Sequence, residues 1–198
     1  MATGAGSLTN MTVPLSGDQS TGGQGLLMPK LKYRFRVSFV NLGSTQTTTE
    51  LSKQVIDFTR PNVNFNPITL DVYNSKIYLQ GKPEWQPVTV TLRDDASNQV
   101  ATNLASQLKK QFDFAEQSSA KAGHDYKFQT KFEALDGSGA ASGGGTALET
   151  WEMYGCFISE INYNNFDYKD NEYATITVQI KYDNAEQTLG SGAGGSVN

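Results

Sequence analysis

The sequence predicts a mainly β domain, an antiparallel β-sandwich or open barrel of about seven strands with one flanking α-helix. Three observations carry this expectation. Apolar and polar residues alternate in several short runs; the clearest sets Leu31, Tyr33, Phe35, Val37 and Phe39 against Lys32, Arg34, Arg36 and Ser38. The period lengthens to that of a helix in one place, through Val100, Leu104, Leu108 and Phe112. Strands and helices do not alternate as a parallel sheet with crossover helices would require.

Taken in order, residues 1–27 read as a flexible N-terminal arm, because Gly, Ser, Thr and Asn without large apolar groups cannot offset their own ordering entropy. The β domain is expected over 28–187 and opens with the strand Leu31–Phe39. A weaker strand follows over Leu51–Phe58, ended by Pro61. A third covers Val63–Val72, where Pro67 removes a ladder donor and implies a bulge or an edge position. Ile77–Leu79 is a short strand closed by Gly81, Lys82 and Pro83, and Val88, Val90 and Leu92 then alternate with Thr89 and Thr91. The helix is expected over about 97–119, with Asp95 or Ser97 accepting from its first amides, Asp94 and Asp95 at the positive end of its dipole, Lys109 and Lys110 toward the other, and Gly123 ending it. Tyr126, Phe128, Thr130, Phe132 and Ala134 form another alternating strand, followed by a flexible Gly-rich loop over 136–146. Trp151–Tyr163 and Tyr173–Tyr182 read as a long hairpin turning near Asp170 and Asn171, and 188–198 as a flexible C-terminal tail.

Composition narrows the functional classes. Lys and Arg total 16 against 20 Asp and Glu, a net charge of -4, so the chain has no overall pull toward phosphate backbones and a conventional nucleic-acid binder is disfavoured. The single Cys156 has no disulfide partner in the chain and sits in the apolar run Gly155–Ile158, which suits a small buried hydrophobe. No apolar stretch reaches bilayer length, and the N-terminus lacks the basic start and apolar middle of a signal peptide. The expectation is a soluble protein made in a cytoplasm, with no membrane anchoring.

Candidate chemistry is sparse. The one histidine, His124, lies in a polar turn, so a nucleophile and base arrangement would have to be built on it alone. Metal sites lack a second His or Cys, and the carboxylates of Asp94 and Asp95 are explained by helix capping. Gly143–Thr146 lacks the Lys of a phosphate loop. Lys30, Lys32, Arg34 and Arg36 could face phosphate or an acidic partner, or simply water. Tyr73, Tyr78 and Trp85, near turns, could stack a sugar or fill a subunit contact. These readings name no catalytic, cofactor-binding or metal-ligating residue, no cofactor and no enzymatic reaction.

Four stretches carry a resemblance. They are Met28–Val37; Leu51–Pro61, leading to Asp71–Lys76; Trp85–Val88, running to Leu92–Asp95; and Glu152–Phe157, closing with Lys181–Ala185. In order and spacing they resemble the tail tube family of T-even-like contractile-tailed bacteriophages, the myovirus tail tube proteins, and they cover most of the chain from about residue 28 to 187. The resemblance implies a structural, non-enzymatic subunit whose hexameric rings stack into the tube inside a contractile sheath. Its implied partners are further copies of itself, the tail sheath protein, the baseplate hub and tail terminator proteins, and, in the lumen, the tape measure protein and genomic DNA. Its implied place is the virion, after assembly in the host cytoplasm. Residues Asn62–Lys82, with the N-terminal arm, are then expected at inter-ring and lumen contacts. Two alternatives stand beside it: the tube of a phage-derived injection system, such as a type VI secretion tube or tailocin, and a monomeric carbohydrate-binding β-sandwich.

Overall fold

A computed structural model describes residues 29–43, 49–120, 122–136, 145–169 and 171–190. The expected N-terminal arm, most of the Gly-rich loop, Asp170 of the expected turn and the last eight residues lie outside them. Described residues 29–34 belong to a unit of their own, in which the Arg34 amide donates to Leu31 O at 3.1 Å and the Arg34 guanidinium lies 5.6 Å from the centre of the Tyr33 ring. The β domain begins at Phe35.

Its strands are β1 (Phe35–Val40), β2 (Val55–Phe58), β3 (Asn62–Phe65), β4 (Ile68–Val72), β5 (Ser75–Leu79), β6 (Pro83–Gln86), β7 (Val88–Arg93), β8 (Phe112–Asp113), β9 (Ser118–Ser119), β10 (Phe128–Leu135), β11 (Ala147–Asn162), β12 (Thr175–Lys181) and β13 (Asn184–Leu189). The helices are α1 (Thr49–Lys53) and α2 (Gln99–Gln111). An antiparallel sheet of 7 strands runs β1-β10-β11-β12-β7-β2, with β13 beside β11. The fold is therefore the expected mainly β architecture with one principal helix.

The 16-residue β11 organises the sheet. Its first half lies between β10 and β13, and its second half pairs with β12. The halves meet at Gly155, whose φ of +66° is left-handed, and bulges flank it at Phe128/Thr130 and Ile158/Glu160. Such a residue bends a strand and increases its twist, so one long strand can serve two differently inclined surfaces. The core fills the space within: Val37 and Phe39 of β1, Met153 of β11, and Val90, Val178 and Ile180 of β7 and β12 are almost fully buried. Phe58 of β2 stacks on Phe132 of β10 with ring centres 5.1 Å apart.

Helix α2 buries Val100, Leu104 and Gln107. Its start is as expected, with the Asp95 carboxylate accepting from the Gln99 and Val100 amides at 3.2 and 3.0 Å and from the Ser97 hydroxyl. Those hydrogen bonds, Ser97 foremost, hold the Asp95 carboxyl below the usual range. The end is not as expected. The helix stops at Gln111 instead of continuing to about residue 119, because Asp113 Oδ1 accepts from the Ala115 and Glu116 amides at 2.9 and 3.3 Å and turns the chain into the β8–β9 hairpin. Gly123 opens a short 3-10 turn, Gly123–Asp125.

Four other expectations are corrected. The first strand starts at Phe35, since Leu31–Arg34 closes a turn. Leu51–Lys53 is helical, with Leu51 buried, so the second strand starts at Val55. The third is divided at Asn66 and Pro67 into β3 and β4, which pair with different partners. The C-terminal tail is partly a strand: β13 reaches Leu189, opposite Glu149, because β11 leaves an edge on the side away from β10.

Candidate functional site, an assembly surface

Residues 62–86 form one long hairpin outside the main sheet. β3 pairs with β6, and β4 with β5 around the turn at Tyr73 and Asn74. The ladders are offset where Gly81 approaches so closely that a Cβ on it would fall 1.9 Å from Asn66 O. Trp85 ties the base to the body by packing on Tyr182, ring centres 5.7 Å apart. Beyond the base, every residue of β4 and β5 is exposed.

The register sorts the side chains of this ribbon. Ile68 opposes Leu79 and Leu70 opposes Ile77, with Val72 on the same side, so one face is a continuous apolar stripe. The other carries Thr69 opposite Tyr78 and an ion pair between Asp71 and Lys76 at 3.7 Å. Those five aliphatic side chains remain between 45% and 53% exposed. An isolated ribbon of two strands is marginal in water, and a patterned apolar face left open by the described residues marks a candidate interaction surface.

A second apolar surface lies at the other end of β7. The hairpin joins β7 at Val88, whereas the described residues 163–169 and 171–174 lie beyond Arg93, which is opposite Thr175. The Arg93 guanidinium lies 5.4 Å from the centre of the Tyr173 ring, and the Asn164 side-chain amide donates to Thr175 O and Oγ1 at 2.9 and 2.8 Å. Phe166, Asp167, Glu172 and Tyr173 border a recess of about 360 Å³. Phe166 and Tyr168 project into solvent at 85% and 110% exposure. The sequence reading saw only a turn here; the available signal was the density of aromatics, Tyr163, Phe166, Tyr168 and Tyr173, in a stretch of turn-forming composition.

The outward face of the β1-β10-β11-β13 region is polar. Arg36 pairs with Glu133 at 2.6 Å, and Lys131 bridges Glu133 and Glu152 at 3.2 and 3.6 Å. Of the four basic residues read as one strand face, only Arg36 lies on a strand, and its guanidinium is committed to Glu133. Edge strands β1 and β13 lie on opposite sides of this region.

The remaining candidates do not converge. His124 is exposed in the 3-10 turn, 2.9 Å from Asp125. Cys156 is fully buried, donates to Met153 O at 3.4 Å, and desolvation pushes its thiol up to about 11. Asp95 is occupied in capping, while Asp94 Oδ1 is buried without a hydrogen-bond partner. Gly143 and Gly144 lie outside the described residues. Tyr73 is at the hairpin tip, Tyr78 on the polar face and Trp85 at the base, so they do not form one stacking platform. Among the described residues no three His, Cys, Asp or Glu side chains form a group able to hold a metal, and no helix is long and apolar enough to cross a membrane.

Comparison with solved structures finds the same fold, at low sequence identity, in chains of contractile injection systems. The chain is similar to a chain in the cryo-EM structure of the sheath/tube terminator of the PVC extracellular contractile injection system, with 14% identity, TM-score 0.61 and coverage of 83% of this chain and 100% of the other. It is also similar to the tube-terminating cap of the anti-feeding prophage, at 15% identity and TM-score 0.60 over 87% of this chain and 99% of that one. A chain of the PVC sheath–tube complex in the extended state matches at 13% identity and TM-score 0.56 over 81% and 92%. No protein-family model and no curated protein sequence matches.

Proposed function

We propose that this chain is a non-enzymatic tube subunit of a contractile tail of the T-even phage type, assembled in the host cytoplasm and carried in the virion. Copies would close side by side into hexameric rings and stack inside the sheath, between the baseplate hub and the terminator, around the tape measure protein and later the genomic DNA. The observation that carries this reading is the uncovered apolar face of the hairpin. A patterned stripe of half-exposed Ile, Leu and Val side chains has no use in a monomer and invites association. Edge strands on opposite sides of one region favour head-to-tail pairing that closes into a ring, while contacts along the axis stay open and extend a filament. The likeness in fold to a chain of a sheath–tube complex supports it as well. The net charge of -4 suits a conduit that passes DNA without retaining it.

Negative-stain electron microscopy of the purified chain across a concentration series tests this. Stacked six-fold rings are expected; monomers that stay dispersed at high concentration and with baseplate added would overturn it.

A second reading is a tube-terminating subunit of a phage-like injection particle. It is favoured by the terminator and cap matches at TM-scores of 0.61 and 0.60, which span those chains almost whole. Single rings that never stack, yet bind preformed tube ends, would select it.

A further inference from the structure

We infer that Glu149 is a positioning residue that makes the seating of the 62–86 hairpin depend on β13, so that the edge strand and the root of the hairpin are held or released together. The contacts involved lie within one copy, and only their consequence for assembly rests on the tube reading above.

The first argument is where the carboxylate sits. Alternation along β11 puts Glu149 and Trp151 on the same side of the strand as Met153, which is fully buried in the core. Glu149 is itself only 3% exposed, and a carboxylate so placed is costly unless donors surround it. Its Oε1 accepts from Trp151 Nε1 at 2.6 Å and from Gln187 Nε2 of β13 at 3.0 Å, and its Oε2 pairs with Arg60 Nη1 at 3.7 Å. Arg60 comes just before β3, at the root of the hairpin, and Leu189 of β13 stands opposite Glu149. One buried group thus joins the hairpin's first arm to the last strand.

The hairpin's other arm is fastened to the same part of the chain. Trp85 of β6 packs on Tyr182, ring centres 5.7 Å apart, and Tyr182 comes just before β13. Both roots are therefore tied to residues 182–187, although the hairpin shares no ladder with β13.

The third argument is how little else holds β13. Among the described residues it pairs with β11 alone, and all of its residues except the partly buried Ala185 are exposed. An edge strand of this kind opens at low cost in free energy. With β13 away, water reaches Glu149, and its pair with Arg60, whose side chain is already 63% exposed, becomes a surface ion pair of little worth. With β13 in place the carboxylate is dry and the same pair is stronger. The dependence is reciprocal, so a firm hairpin root also favours a docked β13. A neighbouring copy that pairs along the free edge of β13 holds the strand down and thereby sets the hairpin, which makes lateral association the step that prepares stacking.

Hydrogen exchange in the full-length, dispersed chain tests the dependence. Gln187→Ala and Arg60→Ala each remove one donor at an exposed position, so the fold survives both. Gln187→Ala is expected to speed amide exchange in β3 and β6 by about fivefold, and Arg60→Ala to speed it in β13 by a similar factor, the low end of ordinary coupling between sites, with α2 unchanged. In a Glu149→Gln background, which lacks the ion pair with Arg60, neither substitution is expected to reach the other segment. Two results would overturn the inference: faster exchange confined to the substituted segment, or an equal rise in α2, which marks a general loss of stability. Sedimentation velocity reads assembly separately, and both variants are expected to need a higher concentration to assemble. A wild-type chain that never assembles removes the tube reading, while the exchange result still decides the role of Glu149.

Discussion

Gly155 faces Asp183 so closely that a Cβ on the glycine would stand 2.2 Å from Asp183 Oδ2. This is where β11 bends and where the strand beside it passes from β12 to β13. The Asp183 amide donates to Tyr154 O at 3.0 Å, and its carboxylate meets Lys127 Nζ at 2.5 Å, so backbone and side chain hold the bend together. Glycine is required for two separable reasons, its left-handed φ and the space that the carboxylate occupies.

Gly155→Ala is expected to lower folding stability by about 2 kcal/mol, from the left-handed conformation together with the displacement of Asp183. Adding Asp183→Ala should recover the steric part and leave about 1 kcal/mol of backbone cost, a coupling measurable in urea melts as a double-mutant cycle.

Gln111, the last residue of α2, stands in for a missing strand. Its Nε2 donates to Ile158 O at 2.9 Å and its Oε1 accepts from the Ile158 amide at 2.9 Å, just beyond the last residue that β10 pairs. Gln111→Leu leaves both backbone groups unpaired in a partly buried place and should cost about 2–3 kcal/mol. Faster hydrogen exchange at Ile158 than at the neighbouring β11 amides would locate the loss.

Tyr73→Gly separates stability from assembly. Tyr73 holds φ at 45°, and relief of the left-handed tyrosine is expected to stabilise the dispersed chain by about 1 kcal/mol in denaturant titrations. The same substitution should raise the concentration needed to form stacked assemblies, read by sedimentation velocity. Leu70→Ser and Ile77→Ser, on the hairpin's exposed apolar face, should weaken assembly with little change in the melting of the dispersed chain.

Alkaline pH probes the core next to the bend. Burial pushes the Cys156 thiol from 9.0 up to about 11 and the Tyr182 hydroxyl from 10.0 up to about 12. Both groups hold their protons longer in the folded chain, so the unfolded chain deprotonates first as pH rises. Stability from these groups is therefore constant below about pH 9, falls between about 9 and 12, and levels above that, by at most about 1.4 kcal/mol per pH unit for each group. Urea midpoints from pH 8 to 12 should show the fall, and Cys156→Ala should remove the part that begins near pH 9.

The core strands were legible in the sequence because each alternates over enough residues to define a buried face, as in Phe128, Thr130, Phe132 and Ala134. Helix α2 was legible through Val100 and Leu104. Its end was misjudged because the run continues to Phe112, and the turn made by Asp113 with two amides depends on hydrogen bonds that spacing does not display. The strand reading of Leu51–Lys53 failed because a buried leucine serves a short helix as well as a strand. Strands were expected in both arms of the hairpin, over Val63–Val72 and Ile77–Leu79, and strands lie there. Alternation cannot tell an apolar face that meets the core from one left for another chain, so its lack of cover was not legible.

Composition and periodicity were enough to determine a mainly antiparallel β domain with one amphipathic helix, and to disfavour a nucleic-acid binder, because those features depend on neighbours close along the chain. The bend at Gly155, the extension of β13 to Leu189 and the placement of two apolar surfaces at opposite ends of β7 depend on contacts between distant segments. Residues far apart in sequence come to share an edge or an end of a strand only when the sheet forms, and tertiary structure alone settled those relationships.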